Sequence, residues 1–194
     1  MKRLLKVITW LFITGLPWIP QKALLGSPPD NGVFGGPVCK TGEIYNKTAL
    51  IIGGRIGWVI NHQFVLGGGG YALLTQISSS LDPSHKMNMG YGGFEIEYIR
   101  HPNKITHFSV MALFGGGGTG FSERDGEHWE SKQKTDTFYI FEPSMHLVLN
   151  ITAFFRFGVG ASYRVVRAIN TSQELTNGDL SGPSLIMTCK FGNF

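Results

Sequence analysis

From about Gly36 to the C-terminus the dominant hydrophobic period is two, and this constrains the fold more than any other feature of the chain. Gly, Asn and Pro divide the region into eight alternating segments: Gly36 to Tyr45, Ala49 to Ile60, Phe64 to Gln76, Met87 to Arg100, Ile105 to Gly118, Thr135 to Leu149, Ile151 to Ala168 and Ser181 to Phe191. Helical spacing explains none of them better. The connections alternate in length. Those at 61–63, 101–104 and Asn150 are tight, whereas 77–86, 119–134 and 169–180 are long and polar. Only the first connection, around Asn46 and Lys47, breaks the rule by being short. Eight antiparallel strands with tight turns at one end and long loops at the other predict an all-β, up-and-down transmembrane β-barrel.

The two faces of each segment differ in kind. In the second, Leu50, Ile52, Ile56, Trp58 and Ile60 oppose Ala49, Gly53, Arg55 and Gly57. In the fourth, Phe94, Ile96 and Tyr98 alternate with Glu95 and Glu97, and in the fifth Phe108, Val110, Ala112 and Phe114 oppose His107 and Ser109. The sixth sets Tyr139, Phe141, Met145, Leu147 and Leu149 against Glu142, Ser144 and His146. The seventh sets Ala153, Phe155, Phe157, Val159, Ala161 and Tyr163 against Thr152, Arg156, Gly158, Gly160, Ser162 and Arg164. The eighth sets Leu185, Met187, Cys189 and Phe191 against Ser184, Thr188 and Lys190.

Alternation alone does not separate a soluble from a membrane barrel. The polar face does, because it is rich in Gly and Ser with isolated charges of both signs, where a solvated surface carries dense Lys, Glu and Thr. Only 15% of residues are charged, against about 25% in ordinary domains, and there are 27 glycines. Small residues with a few opposed charges suit the lumen of a narrow eight-stranded barrel. The apolar face then meets lipid, with Trp58, Tyr98 and Phe108 forming an aromatic girdle near the tight turns. Turned over, the strands would expose Arg55 and Arg156 to hydrocarbon at about 2 to 4 kcal/mol each near the midplane.

The formal charge of +4 invites a nucleic-acid reading, but its location removes it. Lys2, Arg3, Lys6 and Lys22 precede residue 27, where no acidic residue stands. Without them the seventeen basic residues fall to thirteen, equal to the thirteen acidic ones. The basic start followed by the apolar run Val7 to Ile19 is a secretory-signal pattern, broken by Pro17 and Pro20. Residues 1–26 are therefore expected to be a signal peptide, 27–35 a short linker and 36–194 the barrel; an N-terminal anchor is the alternative for the first segment.

With its strand count, its loop asymmetry and the terminal Lys190-Phe191-Gly192-Asn193-Phe194, the chain resembles small eight-stranded outer-membrane barrels of the outer-membrane protein A and X type over about residues 36–194. The resemblance implies a bacterial outer-membrane location, contact with outer-membrane lipid, and recognition by the assembly machinery through the C-terminal strand ending in Phe194. It implies little shared biochemistry. Phe194 is out of phase with Phe191, and a bulge at Gly192 would restore it.

Several constellations are candidates for function. Arg55, Arg156, Arg164 and Lys190 can meet Glu95, Glu97 and Glu142 in the lumen, since buried charges must be paired. The expected result is a polar plug; a gated or proton-linked path is the sharper alternative. Glu142, Ser144 and His146 share a face, and His107-x-Ser109 is similar to the His-x-Ser element of outer-membrane lipid A deacylases. Its place beside a tight turn, on the inner face, speaks against catalysis. Gly115 to Gly120 fits a dinucleotide fingerprint, but no helix follows it. The loop residues Glu123, Asp125, Glu127, His128, Trp129 and Glu130 form a possible interaction surface for an unknown extracellular ligand; their spacing fits no Ca²⁺ loop. Cys39 and Cys189 fall on strands that must pair on closure, so a disulfide is possible. No cofactor, metal or nucleic acid is expected. The expectation is a structural or surface-interaction protein, with a lipid-modifying enzyme or a lipocalin-like or small-pore carrier as alternatives.

Overall fold

Strands with side chains alternating between two faces can satisfy their backbone only sideways, and a closed ring leaves no edge unpaired. The computed structural model, which describes residues 31–78, 85–123, 136–168 and 176–194, closes such a ring. Its elements are β1 (Gly32–Ile44), β2 (Lys47–Ile60), β3 (Phe64–Leu73), the two-residue β4 (Ile77–Ser78), β5 (His85–Arg100), β6 (Thr106–Glu123), β7 (Asp136–Asn150), β8 (Phe155–Ala168), the short helix α1 (Asn177–Leu180) and β9 (Gly182–Gly192). Eight long strands pair antiparallel with their sequence neighbours, β3 pairs directly with β5, and β1 pairs with β9 to complete the barrel. The small β4 pairs only with the loop end of β5.

Local chemistry sets the turns. Tyr45 and Asn46 have φ of 52° and 54°, and Asn61 and His62 have 51° and 56°, the left-handed pairs whose twist matches that of a tight hairpin. The strand boundaries differ from the sequence reading by three residues or more in four places. β1 begins at Gly32, so residues 32–35, expected to be linker, are already paired with β2 and in part with β9. β3 stops at Leu73, where Leu74 N–H and Thr75 N–H turn onto the Leu50 carbonyl. β6 runs on to Glu123. β8 begins at Phe155 rather than Ile151, because Ile151 N–H and Thr152 N–H both donate to the Phe155 carbonyl and make 151–154 the turn.

The apolar face is outside. Ile56, Trp58, Phe94, Tyr98, Phe108, Phe114 and Met145 are all exposed, while Arg55, Glu95, Glu97, His107, Glu142 and His146 are buried within the ring. Trp58, Phe64, Tyr98 and Phe108 stand near the tight turns, and Tyr139 and Tyr163 near the long loops. Along β7, ten residues separate Tyr139 from Leu149, which at about 3.4 Å per residue and a tilt near 40° gives an apolar band about 25 Å tall. No helix among the described residues is long and apolar enough to cross a membrane.

The lumen is layered. A charged middle lies beneath a buried apolar cluster at the loop end, which includes Ile44, Ile51, Met87, Met89, Leu113, Phe138, Ile140, Val166 and Leu180. A second cluster at the tight-turn end joins Phe34, Val59, Val65 and Ile99, with Phe194 packed against it. The carboxylates of the inner face are therefore gathered in its middle.

Candidate functional site

The charged middle of the lumen holds two groups of ion pairs bridged by Tyr71. Three inward glutamates and three cations reach it from five strands. Arg55 Nε donates to Glu95 Oε2 at 2.8 Å and its Nη2 to Glu97 Oε2 at 2.9 Å. Lys190, across the barrel on β9, donates to both oxygens of Glu97 at 2.7 and 2.9 Å. Tyr71 OH donates to Glu95 Oε1 at 2.6 Å. Lys40 Nζ lies 3.6 Å from the centre of the Tyr71 ring, and Tyr71 packs on Tyr91 with ring centres 5.2 Å apart. Lys40 then bridges from β1 to β7, donating to Glu142 Oε2 at 2.8 Å and to Tyr91 OH at 3.2 Å. Tyr91 OH and Ser162 Oγ complete the Glu142 carboxylate at 3.1 and 2.6 Å. Each carboxylate thus accepts at least two hydrogen bonds, which is what lets a buried charge persist.

Glycine makes room for this network. A Cβ on Gly69 would collide with Glu95 Oε1, and one on Gly160 would sit 2.9 Å from His146 Nδ1. On the lipid face Gly70 has nothing within 4 Å of the same position, so crowding accounts for the inward glycines and not for that one.

Two of the expected members are placed differently. Arg156 forms no carboxylate pair among the described residues; its guanidinium lies 3.9 Å over the Phe194 ring. Arg164 donates to the backbone carbonyls of Leu180 at 2.6 Å and Glu43 at 3.2 Å, holding α1 over the loop end. Both stand beyond the layer of glutamates, at opposite ends of the lumen. Lys40, Tyr71 and Tyr91 were not anticipated, and Ser162 was read as inward but not as a member of the network. Their signal was present, since Lys40 is in phase with Gly36 and Gly42, and Tyr71 with Gly67 and Gly69.

Phe194 does not regain the phase of Phe191. β9 ends at Gly192, Asn193 N–H donates to the Val33 carbonyl at 3.0 Å, and the Phe194 ring stacks on Phe34 with centres 5.7 Å apart. It turns toward the lumen, while Phe191 stays outside and stacks on Phe155 at 4.8 Å. The cysteines are both free. Cys39 faces Met187 across β1 and β9, and Cys189 faces Phe157 across β8 and β9, so a two-residue offset separates the thiols from direct opposition. Of the acidic loop, Asp125, Glu127, His128, Trp129 and Glu130 lie outside the described residues, as do residues 1–26, and Glu123 closes β6.

Among the described residues no triad assembles in the lumen. Ser144 Oγ is 2.9 Å from His146 Nε2, but Glu142 is engaged by Lys40, Tyr91 and Ser162 rather than by His146, whose Nδ1 has no partner. His107 and Ser109 are also buried, and His107 Nδ1 and Ser109 Oγ are without hydrogen-bond partners. A nucleophile and base need an oriented third group and a path for substrate.

A closed ring of eight antiparallel strands, apolar outside and ion-paired within, defines a small transmembrane β-barrel of the outer-membrane type. The sequence matches no family model and no curated protein. Among solved structures it is similar to Neisserial surface protein A, at 10% identity and a TM-score of 0.59, covering 84% of this chain and 96% of that one. It is similar to Ail, the attachment invasion locus protein of Yersinia pestis, at 9% identity and 0.51, covering 84% and 97%. It is also similar to the N-terminal β-barrel domain of Pseudomonas aeruginosa OprF, at 10% identity and 0.52, covering 84% and 98%. At these identities the likeness is one of fold, and the fold is that of bacterial outer-membrane barrels.

Proposed function

We propose that this chain is an integral protein of a bacterial outer membrane, held there as a plugged barrel that presents its long loops at the cell surface, and that it is neither a catalyst nor an open pore. One observation carries the reading: the lumen is filled by bonded groups of charges beneath an apolar cluster. Eight strands leave room for side chains and little else. The working surface that remains is the loop end. There β5 and β6 stay paired up to His85 and Glu123, and β6 continues for residues 117–123 beyond Gly116, the partner of Tyr139 in the upper aromatic belt. The paired ribbon thus rises past the belt on the loop side up to Glu123. The resident partners of the barrel itself are outer-membrane lipid and, during insertion, the assembly machinery reading the outward face of β9.

The test has two arms. Trypsin added to intact expressing cells is expected to cut within 124–135, which contains Arg124, Lys132 and Lys134, and to leave the barrel protected. A variant with 124–135 replaced by a tight turn is expected to fold normally and to lose adherence of the cells to immobilised extracellular matrix. Protection of that loop in intact cells would reject surface display, and unchanged adherence after excision of all three long loops would reject a binding role for them.

A further inference from the structure

Basic side chains gather at the tight-turn rim of the barrel. Among the described residues, the turns 61–63, 101–105 and 151–154 together with Arg100 hold Arg100, Lys104, His62 and His101, and no Asp or Glu. A cleft of about 520 Å³ opens between the first two of these turns, walled by Asn61, Gln63, Tyr98, Arg100, His101 and Lys104. Its walls are held by hydrogen bonds. Ile99 N–H donates to the Gln63 carbonyl at 2.6 Å, tying one turn to the next, and Lys104 N–H donates to the His101 carbonyl at 3.1 Å. The Asn150 amide donates to the carbonyls of Pro102 and Lys104 at 3.0 and 2.8 Å, which fixes the second turn from its other side.

The cleft is also placed at the edge of the lipid band. Arg100 follows Phe94, Ile96 and Tyr98 on the outward face of β5 and is exposed. Tyr98 packs against Phe64 of β3 with ring centres 5.2 Å apart, and both rings are about half exposed to the membrane side. A ligand in this cleft meets an interfacial aromatic pair above and a guanidinium and an ammonium beside it. Such rings sit where hydrocarbon gives way to headgroups, and a guanidinium presents a fork matched to phosphate oxygens.

We propose that this cleft binds the headgroup of an anionic phospholipid in the leaflet facing the tight turns, with the phosphate between Arg100 and Lys104 and an acyl chain along Phe64 and Tyr98. Free phosphate or a nucleotide shares the phosphate chemistry. The lipid is favoured because Arg100 is on the lipid-facing side and the aromatic wall continues directly into the apolar band. The proposal rests on the membrane reading given above.

The test uses the full chain folded in detergent micelles. A heat-dependent mobility shift is checked first, and its absence would count against the barrel reading itself rather than against the cleft. Native mass spectrometry then compares phosphatidylglycerol with phosphatidylcholine. Phosphatidylglycerol is expected to bind preferentially, and Arg100→Gln and Lys104→Gln are each expected to weaken it about fivefold, in line with about 1 kcal/mol per cation near an anionic surface. Arg167→Gln, exposed at the loop end, is expected to leave binding unchanged. Equal binding of the two lipids, or a preference that survives in the double variant, overturns the proposal. Displacement of the lipid by millimolar inorganic phosphate assigns the cleft to a soluble anion and overturns the commitment to lipid.

Discussion

The two walls of the lumen solve the burial of polar groups in different ways. On the wall made by β1, β2, β3 and β5, every buried polar side chain of the charged layer is engaged: Lys40, Arg55, Tyr71, Tyr91, Glu95 and Glu97 all hydrogen-bond one another or a partner across the barrel. Only Arg55 Nη1 is left over. On the wall made by β6 to β9, Glu142, Ser162 and Lys190 join the network, but His107 Nδ1, Ser109 Oγ, His146 Nδ1, Arg164 Nη1, Ser184 Oγ and Thr188 Oγ1 are buried with no partner. The carboxylates and the cations that meet them were given partners, whereas several hydroxyls and imidazole nitrogens were not. The difference follows from cost, because an unpaired buried charge costs several kcal/mol and an unpaired hydroxyl about 1 to 3. The first wall is expected to carry the barrel's rigidity, and the second to tolerate change.

That contrast can be broken most forcefully at Glu97, which holds both Arg55 and Lys190. Glu97→Gln is expected to lower stability by about 3 to 5 kcal/mol in urea unfolding from micelles. A loss below about 1 kcal/mol would mean that solvent reaches the layer. Lys40→Met is expected to fall at the lower end of that range, since Tyr91 and Ser162 still serve Glu142. The double change Lys40→Met with Glu142→Met is expected to cost less than Lys40→Met alone, because it leaves no charge unpaired. Phe194→Ala removes a ring lying beneath Arg156 and against Phe34, and is expected to cost about 1 to 2 kcal/mol. The smallest effects are expected on the second wall. Ser109→Ala and Thr188→Val should change stability by less than about 1 kcal/mol and in either direction. A loss of about 3 kcal/mol there would show that these hydroxyls belong to a bonded network of their own.

Much of this was legible in the chain. Period two fixed the faces of β2, β5, β6, β7 and β9, and the alternating connection lengths fixed which end carries the loops. Arg55, Glu95, Glu97, Glu142 and Lys190 were legible as lumen charges because each stands on the face opposite a run of large apolar residues. The pairing was not legible, because Lys190 to Glu97 and Lys40 to Glu142 cross the barrel and depend on closure and strand stagger rather than on sequence distance. The apolar upper lumen was hidden for a related reason. Met89, Leu113, Phe138 and Ile140 are inward, yet hydrophobicity alone reads the same toward lipid and toward a dry core. Phe194 escaped because the chain turns inward after Gly192, so its phase with β9 carries no information about the side it faces.

The central claim is a closed barrel lodged in a membrane with its apolar face toward lipid. It is tested most directly by washing membranes of expressing cells with carbonate, extracting the protein in mild detergent and comparing its gel mobility before and after boiling. Retention in the washed membranes and a clear change in mobility on boiling are predicted. Recovery in the soluble fraction, with one mobility whether boiled or not, would contradict the account.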